Sequence, residues 1–429
     1  MKISKSLEDN SFAIYGLGLS GNSTFKFLKK KNVNKIYIWD DKKYKNNLKK
    51  FNIFRKVLDD VNYIVISPGI NIQKTKLRSA LFRNRKKIIT DLDLFYMQKN
   101  EVKTIAITGT NGKSTTCKLI QHIFKTNRVD AQLGGNIGKP LLDLKINKKS
   151  IVIIEISSFQ LAYSKFIKPT FAAILNIGRD HLDWHNSFTN YRNSKFKIFS
   201  KQDNNDIALL NNKKLIKFFE KKKYLSKLKI IKENYISNTI KKKIINNYLI
   251  SEPNLENFTF AYRISKIFNI KKKIFVKAIN SFKSLPHRHE IFLKKNKITF
   301  INDSKATSFE STKFALRNNK NIFWIFGGLP KIGDKFNFQG ISPNIIKSFI
   351  IGKKTNYFKN KIIKKIKYKI SLNLKNAIKD VFKELVTTKK ENITVLFSPA
   401  SASYDQFKNF VDRGKQFKKI TKNYAKKFL

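Results

Sequence analysis

Short apolar runs recur along the chain, and each gives way to a polar or glycine-rich turn and then to residues with helical spacing. Phe12–Tyr15, Lys35–Trp39 and Asn62–Ile66 predict strands in the first part of the chain. Thr104–Thr108, Ser150–Ile156, Phe171–Ile177 and Asp206–Leu210 predict strands in the middle. Lys297–Asn302, Asn321–Phe326, Ser348–Ile351 and Ile393–Phe397 predict those of the last part. Between them lie helical stretches, among them Lys113–Lys125, Tyr191–Ser200, Asn254–Phe268, Lys272–Phe282 and a long terminal one. Lys74–Lys87 reads as a basic helical segment, and Asn212–Asn247, rich in Lys, Ile and Asn, as irregular strands and loops. Ser150–Ile156 is almost continuously apolar, the mark of a parallel strand buried on both faces.

This alternation predicts an α/β protein built on parallel sheets. The 429 residues leave room for two or three domains with well-filled cores. The expected division is a Rossmann-like domain over 1–90, a P-loop ATPase-like parallel sheet over 91–284, and a Rossmann-like α/β domain over 285–429. With 41% hydrophobic and 13% aromatic residues the composition is not that of a disordered chain. The single cysteine, Cys117, excludes a disulfide framework and reads as a small core residue in a reducing compartment. The opening residues MKISKSLEDN lack an apolar signal region, and no apolar run is long enough to span a bilayer. A cytoplasmic protein is expected.

The formal net charge of +60 changes the picture only partly. A basic field attracts phosphate backbones whatever their sequence. Here the lysines are spread through the chain beside abundant Asn, Ile and Phe, the pattern of a compositional bias at tolerant surface positions. No specific nucleic-acid surface is expected, although a nucleic-acid-stimulated NTPase stays a rival reading.

The sharpest chemical signal is TIAITGTNGKSTT, Thr104–Thr116. Strand, glycine turn and helix in that order aim bare backbone N–H groups at a phosphate. Lys113 would reach the outer phosphates of a nucleotide, and the Ser114 hydroxyl would sit on Mg²⁺. Ile107 stands where the common phosphate-loop pattern has its first glycine. A second glycine motif, GLGLSG at Gly16–Gly21, follows a strand, and Asp40 closes the next one. That is the dinucleotide fingerprint, and on its own it leaves an NAD-dependent oxidoreductase open, although any nucleotide diphosphate would fit.

Other polar clusters also follow strands, where α/β proteins place their ligands. They include Ser67-Pro68-Gly69, the glycine loop around Asn136, and Glu155 at the end of a buried strand. A carboxylate so placed is costly unless it is paired or on a metal, and Mg²⁺ is the natural partner beside a phosphate loop. Asp180, His181, Asp183 and His185 crowd another strand end.

Taken in order, GLGLSG, SPGI, TGTNGKST, GGNIG, EISSFQL, NIGRDHLDWH, LPHRHE, NDSKATS, FGGLPK and SPASASYDQFKNFVDRG resemble the Mur ligase family over the whole chain. EISSFQL, DSKAT and the terminal run are similar to its D-glutamate-adding branch. The resemblance implies an ATP-dependent ligase that activates UDP-N-acetylmuramoyl-L-alanine as an acyl phosphate and joins it to D-glutamate, in peptidoglycan precursor synthesis. A different Mur-type or folylpolyglutamate-type ligase is the alternative.

The same resemblance implies the roles. Gly109, Thr110, Asn111, Gly112, Lys113, Ser114, Thr115, Asn254, Arg288 and Asp303 would bind ATP. Leu19, Ser20, Asp40, Ser67, Gly69, Asn136 and Ser157 would bind the UDP-substrate, and Thr307, Lys331, Ser403 and Phe410 would hold D-glutamate. Ser114, Glu155, His181 and a carbamylated Lys195 would hold two Mg²⁺ ions. Lys113, His181, Lys195 and Lys305 would be the catalytic set, in a monomer.

Overall fold

The computed structural model describes residues 7–98, 101–232, 236–246, 249, 252–283, 285–331, 333–363 and 365–429. Two compact units divide at Phe282/Lys283.

The first unit holds two sheets. Strands β1 (Phe12–Tyr15), β2 (Ile36–Trp39), β3 (Tyr63–Ile66) and β4 (Ile88–Ile89) form one, in the order β2-β1-β3-β4. All its pairs are parallel. The second contains β5 (Lys103–Thr108), β6 (Ala131–Gly135), β7 (Ile151–Glu155), β8 (Phe171–Ile174), β9 (Ile207–Leu210) and β10 (Lys227–Ile230). Its order is β10-β9-β8-β5-β7-β6, again wholly parallel. The phosphate-loop strand β5 is therefore central, with its carboxyl end between those of β7 and β8. This is the edge where an open α/β sheet presents its ligands.

Alternation explains the packing. Ile105 and Ile107 of β5 face one core, with Cys117, Ile120 and Phe124 of the helix Lys113–Thr126. Ala106, between them, faces the opposite core with Val152, Ile154, Phe196 and Phe199. Successive side chains of a strand point to opposite faces, so a doubly covered strand must be apolar throughout. Cys117 is fully buried, as its apolar neighbours require.

The second unit has one sheet, ordered β11-β12-β16-β13-β14-β15. Its strands are β11 (Glu290–Lys295), β12 (Ile298–Asn302), β13 (Ile322–Gly327), β14 (Ile345–Ile351), β15 (Tyr368–Leu372) and β16 (Ile393–Phe397). The expectation of a wholly parallel sheet is corrected here: β11 runs antiparallel to β12. A two-residue turn with Asn296 and Lys297 both left-handed joins them, and such a turn closes a hairpin.

Three local expectations also change. Lys74–Lys87 is not one helix but a 3-10 turn at Ile72–Lys74, a helix at Arg78–Arg83 and another turn at Arg85–Lys87. Thr75 breaks it by taking an extended conformation. Asn212–Asn247 is not irregular throughout. It contains a helix, Lys213–Lys221, capped by the Asn212 side chain and anchored by buried Leu215 and Phe219, and then β10. The glycine loop around Asn136 is preceded by β6, which the glycines had masked. Residues 233–235 and 247 of Asn212–Asn247 lie outside the described set, as do residues 1–6 of the opening segment.

Candidate active site

The phosphate loop is shaped by backbone that only glycine takes easily. Gly112 has φ +82° at the start of the helix Lys113–Thr126, and a Cβ there would collide with the Asn257 side chain. Asn257 in turn accepts from Thr116 Oγ1 (3.1 Å) and donates to Asn254 Oδ1 (3.1 Å). Asn254 and Asn257 lie one turn apart on the helix Glu252–Ile267, which packs along the helix after the loop. Asn254, expected at ATP, is thus tied to the phosphate loop through Asn257.

Two lysines converge on this loop. Lys113 Nζ donates to the carbonyls of Gly109 (2.7 Å) and Thr110 (2.9 Å). Lys195 Nζ, from the helix Phe188–Phe196, donates to the same Gly109 carbonyl at 2.8 Å. Lys195 is 1% exposed, and its Nζ lies 4.7 Å from the Tyr191 ring centroid. Burial drives its amine well below the usual lysine range, and the Lys113 charge pushes the same way. Asp180 opposes them weakly.

Asn176 follows β8 and holds the loop from the other side. Its backbone carbonyl accepts from Thr110 N (2.9 Å) and its Oδ1 from Asn111 N (2.9 Å). Glu256 binds Asn176 Nδ2 (2.6 Å) and Asn211 Nδ2 (2.7 Å), linking the ends of β8 and β9 to the helix Glu252–Ile267. Ser114 and Thr115, expected at phosphate, are buried at the first turn of the helix that follows the loop.

Glu155 ends β7 at 2% exposure. Asn136 Nδ2 donates to its Oε1 at 2.8 Å, and the Asn136 amide to its carbonyl at 2.8 Å. Its Oε2 is buried with no hydrogen-bond partner. An orphaned buried carboxylate oxygen beside a phosphate loop fits a metal ligand, since burial without a partner is otherwise costly. Among the described residues no three His, Cys, Asp or Glu side chains gather into a cage. Magnesium is commonly held by one or two protein groups plus phosphate oxygens, so the pair Glu155 and Ser114 suits it. Asn136 serves here as the orienting partner of Glu155.

His181 and His185 differ sharply. His181 has φ +53°, a partly exposed imidazole, and Nε2 3.4 Å from Asp180 Oδ2. His185 is buried against Phe159, Trp184 and Tyr191, with Nε2 3.0 Å from Ser158 Oγ. Burial above all presses it down to about 4, so its imidazole is neutral. Of the two, His181 is the more exposed.

In the first sheet the glycine motif closes a tight corner. The Ser67 hydroxyl donates to the Gly16 carbonyl (2.8 Å), and Gly21 packs so closely on that carbonyl that a Cβ would collide with it. Asp40 is expected to bind the UDP-substrate. Both its oxygens are engaged: Oδ2 takes the Leu17 amide (2.8 Å), and Oδ1 those of Lys42 (3.0 Å) and Lys43 (2.9 Å). These bonds outweigh burial and hold its carboxyl below the usual range. Leu19 is 84% exposed, while Ser20 and Gly69 lie on the same carboxyl edge. Ser157 caps the helix Ser158–Tyr163 in a reciprocal box with Gln160.

The second unit gathers its candidate residues at strand ends too. Asp303, after β12, accepts from Ser398 Oγ (2.7 Å) and the His289 amide (3.0 Å). Burial lifts its carboxyl to about 7 against those bonds. Lys305 Nζ stands 3.9 Å over the Phe410 ring. Arg413 joins the two motifs beneath them, donating to the carbonyls of Ser304 (2.8 Å) and Ser401 (3.0 Å). Ser403 is buried on the loop after β16, Thr307 precedes the helix Phe309–Arg317, and Lys331 is exposed beyond β13. Arg288 lies on the turn before β11.

The residues that sequence reasoning missed are Asn176, Asn211, Glu256, Asn257 and Arg413. Asn176 and Asn211 had a signal, asparagine just after a buried strand. Arg413 lies inside the terminal motif SPASASYDQFKNFVDRG, though no role was read for it, whereas Glu256 and Asn257 reach their partners from a helix distant in sequence and had no signal.

Residues 107–275 match the Mur ligase middle domain, and residues 10–89 the Mur ligase MurD-like N-terminal domain. A UDP-N-acetylmuramoylalanine–D-glutamate ligase of Rickettsia prowazekii (strain Madrid E) is 34% identical over 440 residues, covering 96% of this chain and 97% of that protein. The protein of that name in Oenococcus oeni (strain ATCC BAA-331 / PSU-1) is 35% identical over 442 residues, covering 97% and 98%. The fold is also that of MurC from Thermotoga maritima, with a TM-score of 0.58, 16% identity, and coverage of 97% of this chain and 100% of that one. MurF from Thermotoga maritima in complex with ADP aligns with a TM-score of 0.57 at 15% identity, covering 99% of each chain. With about a third of its residues shared over nearly its whole length, the chain belongs to the Mur ligase family, among the UDP-N-acetylmuramoylalanine–D-glutamate ligases.

Proposed function

We propose that this protein joins D-glutamate to UDP-N-acetylmuramoyl-L-alanine at the expense of ATP, in the cytoplasm, as a step of peptidoglycan precursor synthesis. The observation that carries this reading is the convergence of Lys113, Lys195 and the Gly109 carbonyl beside the orphaned Glu155 oxygen. No described helix is long and apolar enough to cross a membrane.

In this reading the loop Gly109–Ser114, with Thr115, cradles the phosphates of ATP, and Lys113 neutralises charge on the phosphoryl group passed to the substrate carboxylate. The amine of D-glutamate then attacks the acyl phosphate carbon, phosphate leaves with its bonding pair, and an amide remains. Glu155, Ser114 and His181 would hold magnesium, which supplies charge neutralisation between phosphate and carboxylate oxygens.

Lys195 suits a carbamate. Only a neutral amine attacks carbon dioxide, and burial drives this one toward its neutral form. The new N–C bond forms as a proton leaves, and the product carries a negative charge where an ammonium would repel a second metal. Asn254, Arg288, Asp303 and Lys305 act on ATP. Leu19, Ser20, Asp40, Ser67, Gly69, Asn136 and Ser157 serve the UDP-substrate, Asp40 and Ser67 by shaping its loop. Thr307, Lys331, Ser403 and Phe410 hold D-glutamate, with Lys331 opposite a carboxylate. The proposed domain boundaries stay at 90 and 284, although Asn136 and Ser157 of the middle stretch serve the UDP-substrate and Arg288, Asp303 and Lys305 of the last one act on ATP.

A substrate panel tests the reading. Product is expected with D-glutamate and not with L-lysine, glycine or L-glutamate. Equal turnover with L-lysine would contradict it.

A further inference from the structure

His181 sits on an unusual support. It opens the single-turn helix Leu182–His185, which is flanked by two left-handed residues that carry side chains, His181 at φ +53° and Asn186 at φ +64°. A helix of one turn does not stand by itself, and a left-handed residue with a Cβ is unfavourable. Something outside the segment must hold it.

The hold comes from the first sheet. After β3 the chain runs through Ser67, Gly69 and Ile70 into the 3-10 turn Ile72–Lys74. Asn71 Nδ2 donates to the Trp184 carbonyl (3.2 Å) and Lys74 Nζ to the Asp183 carbonyl (3.0 Å). Gln73 Oε1 accepts from Asn186 Nδ2 (2.7 Å). These bonds cross more than a hundred positions of sequence and reach three successive parts of the His181 segment. Beneath them the Ile72 amide donates to the Tyr163 hydroxyl (3.1 Å), and the Tyr163 ring packs on Trp184 at 5.5 Å. The His181 imidazole itself lies on Phe159, 4.7 Å between centroids.

We propose that Asn71 and Gln73 are positioning residues for His181: the segment that carries the UDP-substrate loop also fixes the metal-facing imidazole. The inference rests on the reading of His181 as a magnesium ligand. It gives the binding of the UDP-substrate a physical route to the metal site, since Ser67 and Asn71 lie on one short loop. Groups that orient a metal ligand from behind carry part of its affinity.

The test separates the brace from ordinary loop stability. Asn71 Oδ1 also caps its own turn by accepting from the Gln73 amide (3.0 Å). Asn71→Asp keeps that cap and removes the donor to Trp184. Gln73→Ala removes the acceptor for Asn186, and Gln73→Glu restores it. The full-length variants are titrated with Mn²⁺ in the presence of a non-hydrolysable ATP analogue, following free Mn²⁺ by electron paramagnetic resonance. The Mg²⁺ concentration for half-maximal turnover and the thermal midpoint are measured alongside. Asn71→Asp and Gln73→Ala are expected to bind Mn²⁺ roughly tenfold more weakly with an unchanged thermal midpoint. Gln73→Glu is expected to match the unsubstituted protein. Unchanged Mn²⁺ affinity in both disrupting variants, while His181→Ala weakens it, overturns the brace. His181→Ala binding Mn²⁺ normally overturns it as well, and places the failure in the metal reading beneath.

Discussion

Lys195 and Lys113 donate to one and the same carbonyl, that of Gly109, at 2.8 and 2.7 Å. Two amines on a single backbone oxygen cannot both carry full charge without strong repulsion. The buried one, Lys195, is the one driven toward neutrality. In the proposed reading the phosphate loop holds Lys113 as a charge for phosphate and Lys195 as the amine that takes the carbamate.

That division makes Lys195 costly to the fold. In the unfolded chain the amine stays protonated up to about 10.5, while in the fold it holds fewer protons. Stability contributed at this position is therefore lost as pH falls below that value. Lys195→Met is expected to raise the thermal midpoint at pH 7 and to abolish turnover. Lys195→Ala should be inactive and partly restored by added formate or acetate. Full activity in either variant, without an added acid, would remove the carbamate from the account.

Glu155→Gln isolates the orphaned oxygen. The amide keeps an acceptor for Asn136 Nδ2, so the fold should hold. The metal loses its anionic ligand, and turnover should fall on the order of a hundredfold. Steady-state rates over a Mg²⁺ series, with a thermal melt as control, decide it. Wild-type rates at limiting Mg²⁺ would exclude Glu155 as a ligand.

Asp91 offers a test by pH away from the site. It is 3% exposed, and burial lifts its carboxyl to about 6 against the opposing pull of Gln160, the Leu92 amide and Ser20. In the window from about 4 to 6 the fold holds a proton that the unfolded chain has lost. Stability contributed by Asp91 should therefore fall as pH rises through that window. Asp91→Asn should gain on the unsubstituted protein by about 2–3 kcal/mol at pH 7.5 and by little at pH 4. Parallel pH profiles from urea unfolding would refute the assignment.

Gly112→Ala should fail for two separable reasons. The left-handed φ costs a Cβ-bearing residue about 1–2 kcal/mol, and the new methyl meets the Asn257 amide. Nucleotide binding, measured by calorimetry, should be lost. Adding Asn257→Ala should recover some thermal stability by removing the collision, while the backbone strain remains. Equal stability of the single and double variants would contradict the packing.

The sequence read well where chemistry and burial coincide. β5 and β7 are apolar on both faces because helices cover both, and their polar ends stand out against that background. The strand β6 was hidden because Gln132, Gly134 and Gly135 interrupt its apolar run. β11 was hidden because Glu290, Lys294 and Lys295 mark it as an exposed edge, and edges carry a weaker pattern. The helix Lys213–Lys221 was obscured by lysines, although Leu215 and Phe219 keep helical spacing. Asp40 was legible in place but not in role, since its amide partners come from the folded loop. Asn257 bonds Thr116, 141 residues away, and Glu256 bonds Asn176, 80 residues away, and no local pattern announces them.

The most direct measurement is phosphate release by the purified chain supplied with magnesium, ATP and UDP-N-acetylmuramoyl-L-alanine, before and after D-glutamate is added. The account predicts a sustained rise on addition, with one phosphate per amide formed, and none in Lys113→Ala. A rate that D-glutamate does not change, or an undiminished rate in Lys113→Ala, would contradict it.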